Sequence, residues 1–412
     1  MKSYTPPADK SITIRALLLA ALARGSARIE NPLICEDTKA ALRCLAALGV
    51  KITKDGNAFI ITGKGLEGLK KPAGPLDAGE SGALARLLAG ILSGRPFPSE
   101  IIGRGSLLKR PMQPLAAALA KLGAKISTNG GLLPLSIKPA GLREAKVQGI
   151  ESAQVKSALL LAGLQAAGPS EIKEKFQTRD HTERLFALMG ADIRMAPRRT
   201  NIGPGPLTAR PVTIPGDISS AAPFIAAALL SGQPLLVNAC GLNPARLGFI
   251  RTLQKMGADI RLKVNNSFPE PEGQLEVQPS KLKGIRVAAA EIPAMIDEVP
   301  LLAVVAARAK GKTVISGIEG LRTKESDRIE STMALLAALG VKASYGKGSL
   351  TITGPAKFKA AGAVDTFNDH RIAMAAAAAS TACPGLKIKN PGCVKKSYPG
   401  FWRDFKKTFK AL

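Results

Sequence analysis

The chain has 412 residues, 46% of them hydrophobic and 22% charged, too much apolar material for a disordered chain and enough length for two or three domains. Its 58 Lys and Arg against 31 Asp and Glu give a net charge of +27, which favours polyanions or anionic small molecules. One Trp and three Tyr, with no basic block interleaved with aromatics, leave no stacking platform for single-stranded nucleic acid.

From the N-terminus, Ala16 to Ala23 imitates a signal peptide, but two prolines and Asp9 precede it and Arg24 closes it. Its pattern recurs five more times downstream, so the reading is a core helix of a cytoplasmic protein. Five scattered cysteines (Cys35, Cys44, Cys240, Cys383, Cys393) form no CxxC pair, and only His181 and His370 accompany them. That argues against a disulfide framework and against a metal site. The longest uncharged stretch, Ile218 to Ala245, is broken by Pro223, Gly232 and Pro234, so no membrane span is expected.

Self-similarity organises the chain. An Ala/Leu-rich segment ending in a small-residue turn and a β-rich stretch occurs six times, with turn glycines Gly25, Gly94, Gly168, Gly232, Gly311 and Gly385 separated by 69, 74, 64, 79 and 74 residues. After each of the first five comes an amphipathic helix closing on Gly49, Gly123, Gly190, Gly257 or Gly340, a placement that fits a left-handed residue just past a helix end. The last copy leaves FWRDFKKTFKAL as a C-terminal helix. Each unit of roughly 70 residues is too small to bury its own faces, so three units around shared buried helices predict one lobe and six predict two. The class is α/β (α+β), with the most apolar helices inside and the Pro197 to Pro215 stretch as the crossover between lobes.

Polar residues concentrate just ahead of the six apolar helices: DKS at Asp9 to Ser11, GESG at Gly79 to Gly82, ESAQVKS at Glu151 to Ser157, GDISS at Gly216 to Ser220, IDE at Ile296 to Glu298 and NDHR at Asn368 to Arg371. Helix N-termini offer free N–H donors and partial positive charge. N-capping accounts for the Asp and Ser residues. It does not account for Lys10, Lys156 and Arg371, which oppose the helix dipole and call for something negative nearby. Arg15, Arg86, Arg110, Arg179, Lys324, Arg328 and Lys396 add cations in tight polar contexts. On a helix, Lys324 and Arg328 would share one face.

Nine segments, DKSITIRALLLAALA, GESGALARLLAG, SAQVKSALLLAGL, RDHTERL, GDISSAA, IDEVPLLAVVAA, LRTKESDRI, NDHRIAMA and KKSYPGFW, together resemble the 5-enolpyruvylshikimate-3-phosphate synthases, or 3-phosphoshikimate 1-carboxyvinyltransferases, of the enolpyruvyl transferase family. They occur in the family's order from residue 9 to residue 402. The resemblance implies two lobes, each of three βαβαββ repeats around buried helices, an inside-out α/β barrel. One lobe would be residues 9–214 and the other 1–8 with 215–412, closing on the substrates about a hinge near 9 and 215. It also implies transfer of the enolpyruvyl group of phosphoenolpyruvate to the 5-hydroxyl of shikimate 3-phosphate, without metal or organic cofactor, by a monomer with no specific nucleic acid or membrane partner. Two substrates that each carry a carboxylate and a phosphate demand a ring of cations, for which bidentate Arg is well suited.

Carried over by position, Lys10 resembles the lysine between the two substrates, with Ser11 and Arg15 on the shikimate carboxylate side. Ser152, Ala153, Gln154, Thr178 and Arg179 resemble contacts to the phosphate and ring of shikimate 3-phosphate, completed by Asp297 and Lys324. Phosphoenolpyruvate falls to Lys10, Gly82, Arg110, Gln154, Arg328, Arg371 and Lys396. The 5-hydroxyl must lose a proton and the methylene carbon gain one. Asp297 is the expected base, Glu325 the expected donor to that carbon and base for the later removal, and Lys10 a third participant. An ion pair with Arg328 or Arg322 is the alternative for Glu325. Departures from the pattern are Ala83 for a Ser or Thr, Thr178 for a Ser, Ala8 for a Gly and Ala245 for a Thr, while His181 stands where another branch has Tyr. Two rival readings stand beside this one: the UDP-N-acetylglucosamine enolpyruvyl transferase, whose starting motifs differ, and a basic nucleic-acid-binding repeat protein, motivated by charge alone.

Overall fold

The computed structural model describes residues 1–360 and 362–410; residues 411–412 of the expected C-terminal helix lie outside the described residues. The chain forms two compact units, one of Ala8–Ile214 and one of Met1–Pro7 with Pro215–Leu412.

In the first unit the helices are α1 (Lys10–Leu22), α2 (Glu36–Ala47), α3 (Gly82–Leu92), α4 (Gln113–Ala120), α5 (Ala153–Gly163) and α6 (His181–Leu188). Ala- and Leu-rich sequence favours α1 intrinsically, the Asp9 carboxylate accepts from the Ile12 N–H at 2.9 Å to start it, and every residue from Ile12 to Leu22 is buried. A helix without a polar face must lie inside, and α1, α3 and α5 do so in mutual contact, α1 on α3 and α3 on α5. Each is followed by a strand, an amphipathic outer helix and a hairpin. The three sheets share one order: an entering strand, a second strand parallel to it, then the hairpin strands antiparallel. Leu76–Asp77 pairs in parallel with Ser99–Ile102 and Lys146–Ile150 with Ser170–Glu174, as a helical crossover requires.

In the first repeat the entering strand comes from the far end of the unit. Leu207–Thr208 and Val212–Thr213 both pair in parallel with Ala23–Glu30. The Pro197 to Pro215 stretch is therefore not merely a crossover: it also holds the strand Arg199–Ile202, and the change of unit comes after Ile214. Pro206 and Pro211 just precede two-residue edge strands, where a missing donor is tolerated.

The second unit repeats the scheme with α7 (Ile218–Ser231), α8 (Gly248–Lys255), α9 (Val299–Ala306), α10 (Arg328–Ala338), α11 (His370–Ser380) and α12 (Phe401–Phe409). Here α7, α9 and α11 are the buried helices and touch pairwise. The chain's first strand, Lys2–Tyr4, enters the sheet of the fourth repeat beside Leu235–Gly241. Aromatic packing fixes it there: the Tyr4 ring stacks on Phe224 at 3.7 Å, and Phe224 also meets Tyr398, Phe401, Phe405 and Phe409. The sixth repeat is abbreviated. Among the described residues its strand pairing is a single parallel bridge, Val364 to Ile388, and the chain then finishes in α12.

All five glycines expected after outer helices have positive φ, from 69° at Gly340 to 100° at Gly257. The residue after each donates its N–H back into the last turn, as Val50 does to Leu45 O at 3.0 Å. Among the described residues no helix is long and apolar enough to cross a membrane, and no group of His, Cys, Asp or Glu side chains is arranged to hold a metal ion.

Candidate active site

In the first unit the polar residues gather at the N-termini of α1, α3 and α5. Lys10, in the first turn of α1, ion-pairs with Asp37 at 2.8 Å. Asp37 is the negative partner that a lysine at a helix start requires, and it sits in the first turn of α2, where its own charge is favoured. Arg15 is buried and reaches three elements. Its Nη1 donates to Ser11 Oγ at 2.6 Å, its Nε to Thr182 Oγ1 at 2.9 Å and its Nη2 to Ser157 Oγ at 3.2 Å.

A second arginine, Arg86, joins two of the expected phosphoenolpyruvate residues of this unit, Gly82 and Gln154. It donates to Gln154 Oε1 at 2.7 Å, to Gly82 O at 3.1 Å and to Pro111 O at 3.1 Å. Gly82 is held between guanidinium groups: a Cβ there would lie 2.7 Å from Arg86 Nη1 and 2.8 Å from Arg110 Nη1. Ser152 caps α5 through the Val155 N–H, which leaves Ala153 and Gln154 in the first turn. Thr178 is buried and donates both its N–H, at 3.1 Å, and its hydroxyl to Glu174 Oε1. Arg179 follows it, half-buried. His181 opens α6 and is 1% exposed.

In the second unit the organising residue is Arg328, 1% exposed. Its Nη1 meets Asp297 at 3.0 Å, its Nη2 meets Glu325 at 2.7 Å, and its Nε meets Asp369 at 2.8 Å. Burial alone would lower the guanidinium pKa; Asp369, Glu325 and Asp297 outweigh it and hold the proton more tightly than usual. Glu325 therefore has the ion pair with Arg328 that was its alternative reading, and Lys396 Nζ stands 4.0 Å from its other oxygen. Lys324 is half-buried and precedes Glu325 in a turn. The shared helix face expected for Lys324 and Arg328 does not exist, because Asp327 caps α10 by accepting from the Ile329 and Glu330 N–H groups, so that Arg328 opens the helix. Arg371, in the first turn of α11, donates to Ser219 O at 2.9 Å, and its N–H bonds the capping Asp369 at 2.8 Å.

Each unit carries its own share of the expected residues: Lys10, Ser11, Arg15, Gly82, Arg110, Ser152, Ala153, Gln154, Thr178 and Arg179 in one, and Asp297, Lys324, Glu325, Arg328, Arg371 and Lys396 in the other; direct contacts join Ser11 to Arg15, and Arg328 to Asp297 and Glu325. Sequence reasoning did not single out Asp37, Glu174, Glu183 or Arg246 for this region. Arg246 Nη2 binds Asp217 Oδ1 at 3.2 Å and Ser219 Oγ at 2.7 Å. These partners are joined by tertiary packing, and the one available signal was the need for negative charge beside Lys10 and Lys156.

A model of the family described as EPSP synthase (3-phosphoshikimate 1-carboxyvinyltransferase) matches residues 2–405. A 3-phosphoshikimate 1-carboxyvinyltransferase of Alkaliphilus metalliredigens is 40% identical over 408 residues, covering 98% of this chain and 96% of the relative. An enzyme of that name from Thermus thermophilus is 42% identical over 405 residues, covering 97% and 94%. Among solved structures, an EPSP synthase from Acinetobacter baumannii superposes with a TM-score of 0.86 at 36% identity over 99% of this chain and 95% of its own. The enolpyruvyl transferase NikO from Streptomyces tendae shares the fold, with a TM-score of 0.77 at 20% identity over 100% and 95%.

Proposed function

The chain belongs to the EPSP synthase family, and from that premise we propose that it transfers the enolpyruvyl group of phosphoenolpyruvate to the 5-hydroxyl of shikimate 3-phosphate through a tetrahedral adduct, releasing phosphate. One observation carries the reading: two carboxylates suited to proton transfer, Asp297 and Glu325, are held at 3.0 Å and 2.7 Å by one buried guanidinium, Arg328.

Asp297 takes the proton of the 5-hydroxyl as its oxygen attacks C2 of phosphoenolpyruvate. Glu325, in its protonated form, gives a proton to C3, so the methylene becomes a methyl group and the adduct forms. In the second step Glu325 takes a proton back from that methyl group while the bond from C2 to the phosphate oxygen breaks, and the double bond is restored. The proton first held by Asp297 leaves with phosphate, so the two carboxyl groups return to their starting states. An anion that takes up Nη1 or Nη2 of Arg328 competes with Asp297 and Glu325 for the same donors. Substrate arrival at Arg328 therefore loosens the two carboxyl groups that must move protons. Lys10 would neutralise charge between the substrates. Arg110, Arg371 and Lys396 would hold phosphoenolpyruvate, and Ser152, Gln154, Thr178 and Arg179 shikimate 3-phosphate.

The test is phosphate release from shikimate 3-phosphate plus phosphoenolpyruvate by purified protein, beside Asp297→Ala and Lys10→Ala. Both variants are expected to remain folded and to lose about a hundredfold or more in turnover. An unchanged rate in either removes that residue from the mechanism; a wild type that releases no phosphate rejects the assignment.

A further inference from the structure

Beneath the turn that carries Thr178 lies an ionic cluster the proposed chemistry does not use. Lys156, on α5, is 0% exposed, and its Nζ meets Glu183 Oε1 at 2.6 Å and Glu174 Oε2 at 3.1 Å. Burial pulls the lysine pKa down, but the two carboxylates more than reverse it, so the ammonium stays charged. Two buried carboxylates for one cation is an uneven match: Glu183 Oε2 is buried with no hydrogen-bond partner among the described residues. Burying charge in this way is costly unless close pairing and further hydrogen bonds offset it.

The geometry it serves is specific. One oxygen of Glu174 faces Lys156, and the other accepts both the N–H and the hydroxyl of Thr178. The carboxylate is a rigid bridge between an immobile ammonium and the Thr178 turn. The neighbours repeat the arrangement one residue along: Ser157, next to Lys156 on α5, accepts from Thr182, next to Glu183 on α6, at 2.7 Å, and both hydroxyls receive Arg15. Helices α5 and α6 are therefore tied twice, once by ions under Thr178 and once by hydroxyls under Arg15.

We propose that Lys156 and Glu174 are positioning residues that fix Thr178, and with it the phosphate end of the shikimate 3-phosphate site; this deepens the functional reading above and rests on it. The ammonium orients the Glu174 carboxylate, the carboxylate sets the Thr178 backbone and hydroxyl, and a phosphate meets a turn that is already in place. No group here touches the reacting carbons, so binding should respond while the chemical step does not.

The experiment compares wild type with Glu174→Gln, an isosteric change that leaves Lys156 and Glu183 as a balanced pair and so preserves the fold. Calorimetric titration with shikimate 3-phosphate and with unphosphorylated shikimate is run alongside steady-state kinetics. The expected result is a roughly tenfold weaker Kd and higher KM for shikimate 3-phosphate, the equivalent of one hydrogen bond. The kcat, the KM for phosphoenolpyruvate and the Kd for shikimate should stay within about twofold. Thr178→Val supplies the second arm: adding Glu174→Gln to it should cost less than the two single penalties combined. Unchanged shikimate 3-phosphate binding in Glu174→Gln, an equal loss for shikimate, or full additivity overturns the inference while leaving the functional reading intact. A wild type that neither binds nor turns over shikimate 3-phosphate overturns both.

Discussion

Gly82→Ala separates substrate positioning from stability. Gly82 is the first residue of α3 and is not among the glycines with positive φ, so an alanine fits the backbone and restricts the unfolded chain, which stabilises by at most about 1 kcal/mol. The new methyl group, however, would stand 2.7 Å from Arg86 Nη1 and 2.8 Å from Arg110 Nη1. Ordinary contact begins near 3.4 Å, so each guanidinium must retreat by roughly 0.6–0.7 Å, at the expense of the 2.7 Å bond from Arg86 to Gln154. A misplacement of about 1 Å near the reacting groups costs about a hundredfold, and the smaller movement predicts a roughly ten- to thirtyfold rise in the KM for phosphoenolpyruvate. The kcat should stay within about threefold, because Asp297 and Glu325 are untouched. Initial-rate phosphate release, with a thermal melt as the control, decides it. A folded variant with the wild-type KM for phosphoenolpyruvate would refute the placement of that substrate against Gly82 and Arg110.

Removing the guanidinium in Arg328→Met leaves Asp297, Glu325 and Asp369 facing one another around a buried site, which should destabilise by about 3–5 kcal/mol and lower the calorimetric midpoint by roughly 10 °C for a unit of about 200 residues. A shift under about 2 °C would mean that the three carboxylates do not depend on Arg328. Glu183→Gln tests the sign of a buried charge. Burial raises the Glu183 pKa and Lys156 offsets this only in part, so in wild type the group favours folding below its unfolded-state pKa and loses that contribution as pH rises through its higher folded pKa. Denaturant unfolding should show the Gln variant gaining on wild type as pH rises above the ordinary glutamate pKa of about 4.3; a gain by wild type over that rise would contradict it.

The two kinds of structural information differed in how far local sequence determines them. The repeat was legible because a fully buried helix has no polar face to write and a helix that stops on a left-handed residue requires glycine, as at Gly49 and Gly340. The capping residues Asp9, Ser81 and Asp217 were legible for the same local reason. The pairing of the entering strands was not, although the resemblance implied that residues 1–8 go with 215–412: Lys2–Tyr4 and Leu207–Thr208 are three and two residues long, and their partners lie more than 180 positions away. At the site, residue types, positions and the Glu325–Arg328 pair could be read from the motifs, but the rest of the pairing could not. That Arg328 serves Asp297, Glu325 and Asp369 at once depends on three elements packing together. The spacing of KESDR announces only the Glu325 pair.

The surplus positive charge exceeds what two anionic substrates require, and the sheets give part of it another use. With helices inside, each sheet turns its outer face and its hairpin edge outward, and an unpaired edge invites pairing with another molecule. The edge strand of every sheet carries or adjoins exposed cations: Lys51 and Lys54, Lys125, Arg194, Arg261 and Lys263, and Lys342 with Lys347 around Ala343–Gly346. The hazard is plainest in Ile260–Asn266, where Leu262 and Val264 are exposed at 37% and 54% and only Arg261 and Lys263 interrupt the apolar run. Replacing both in Arg261→Val/Lys263→Val creates five consecutive residues of high β-propensity and no charge. The double variant should keep its far-ultraviolet spectrum and self-associate with concentration in sedimentation velocity, with the parent chain as reference. Sedimentation unchanged from the parent at all concentrations would show that these cations do not guard the edge, and the surplus would then need a partner after all.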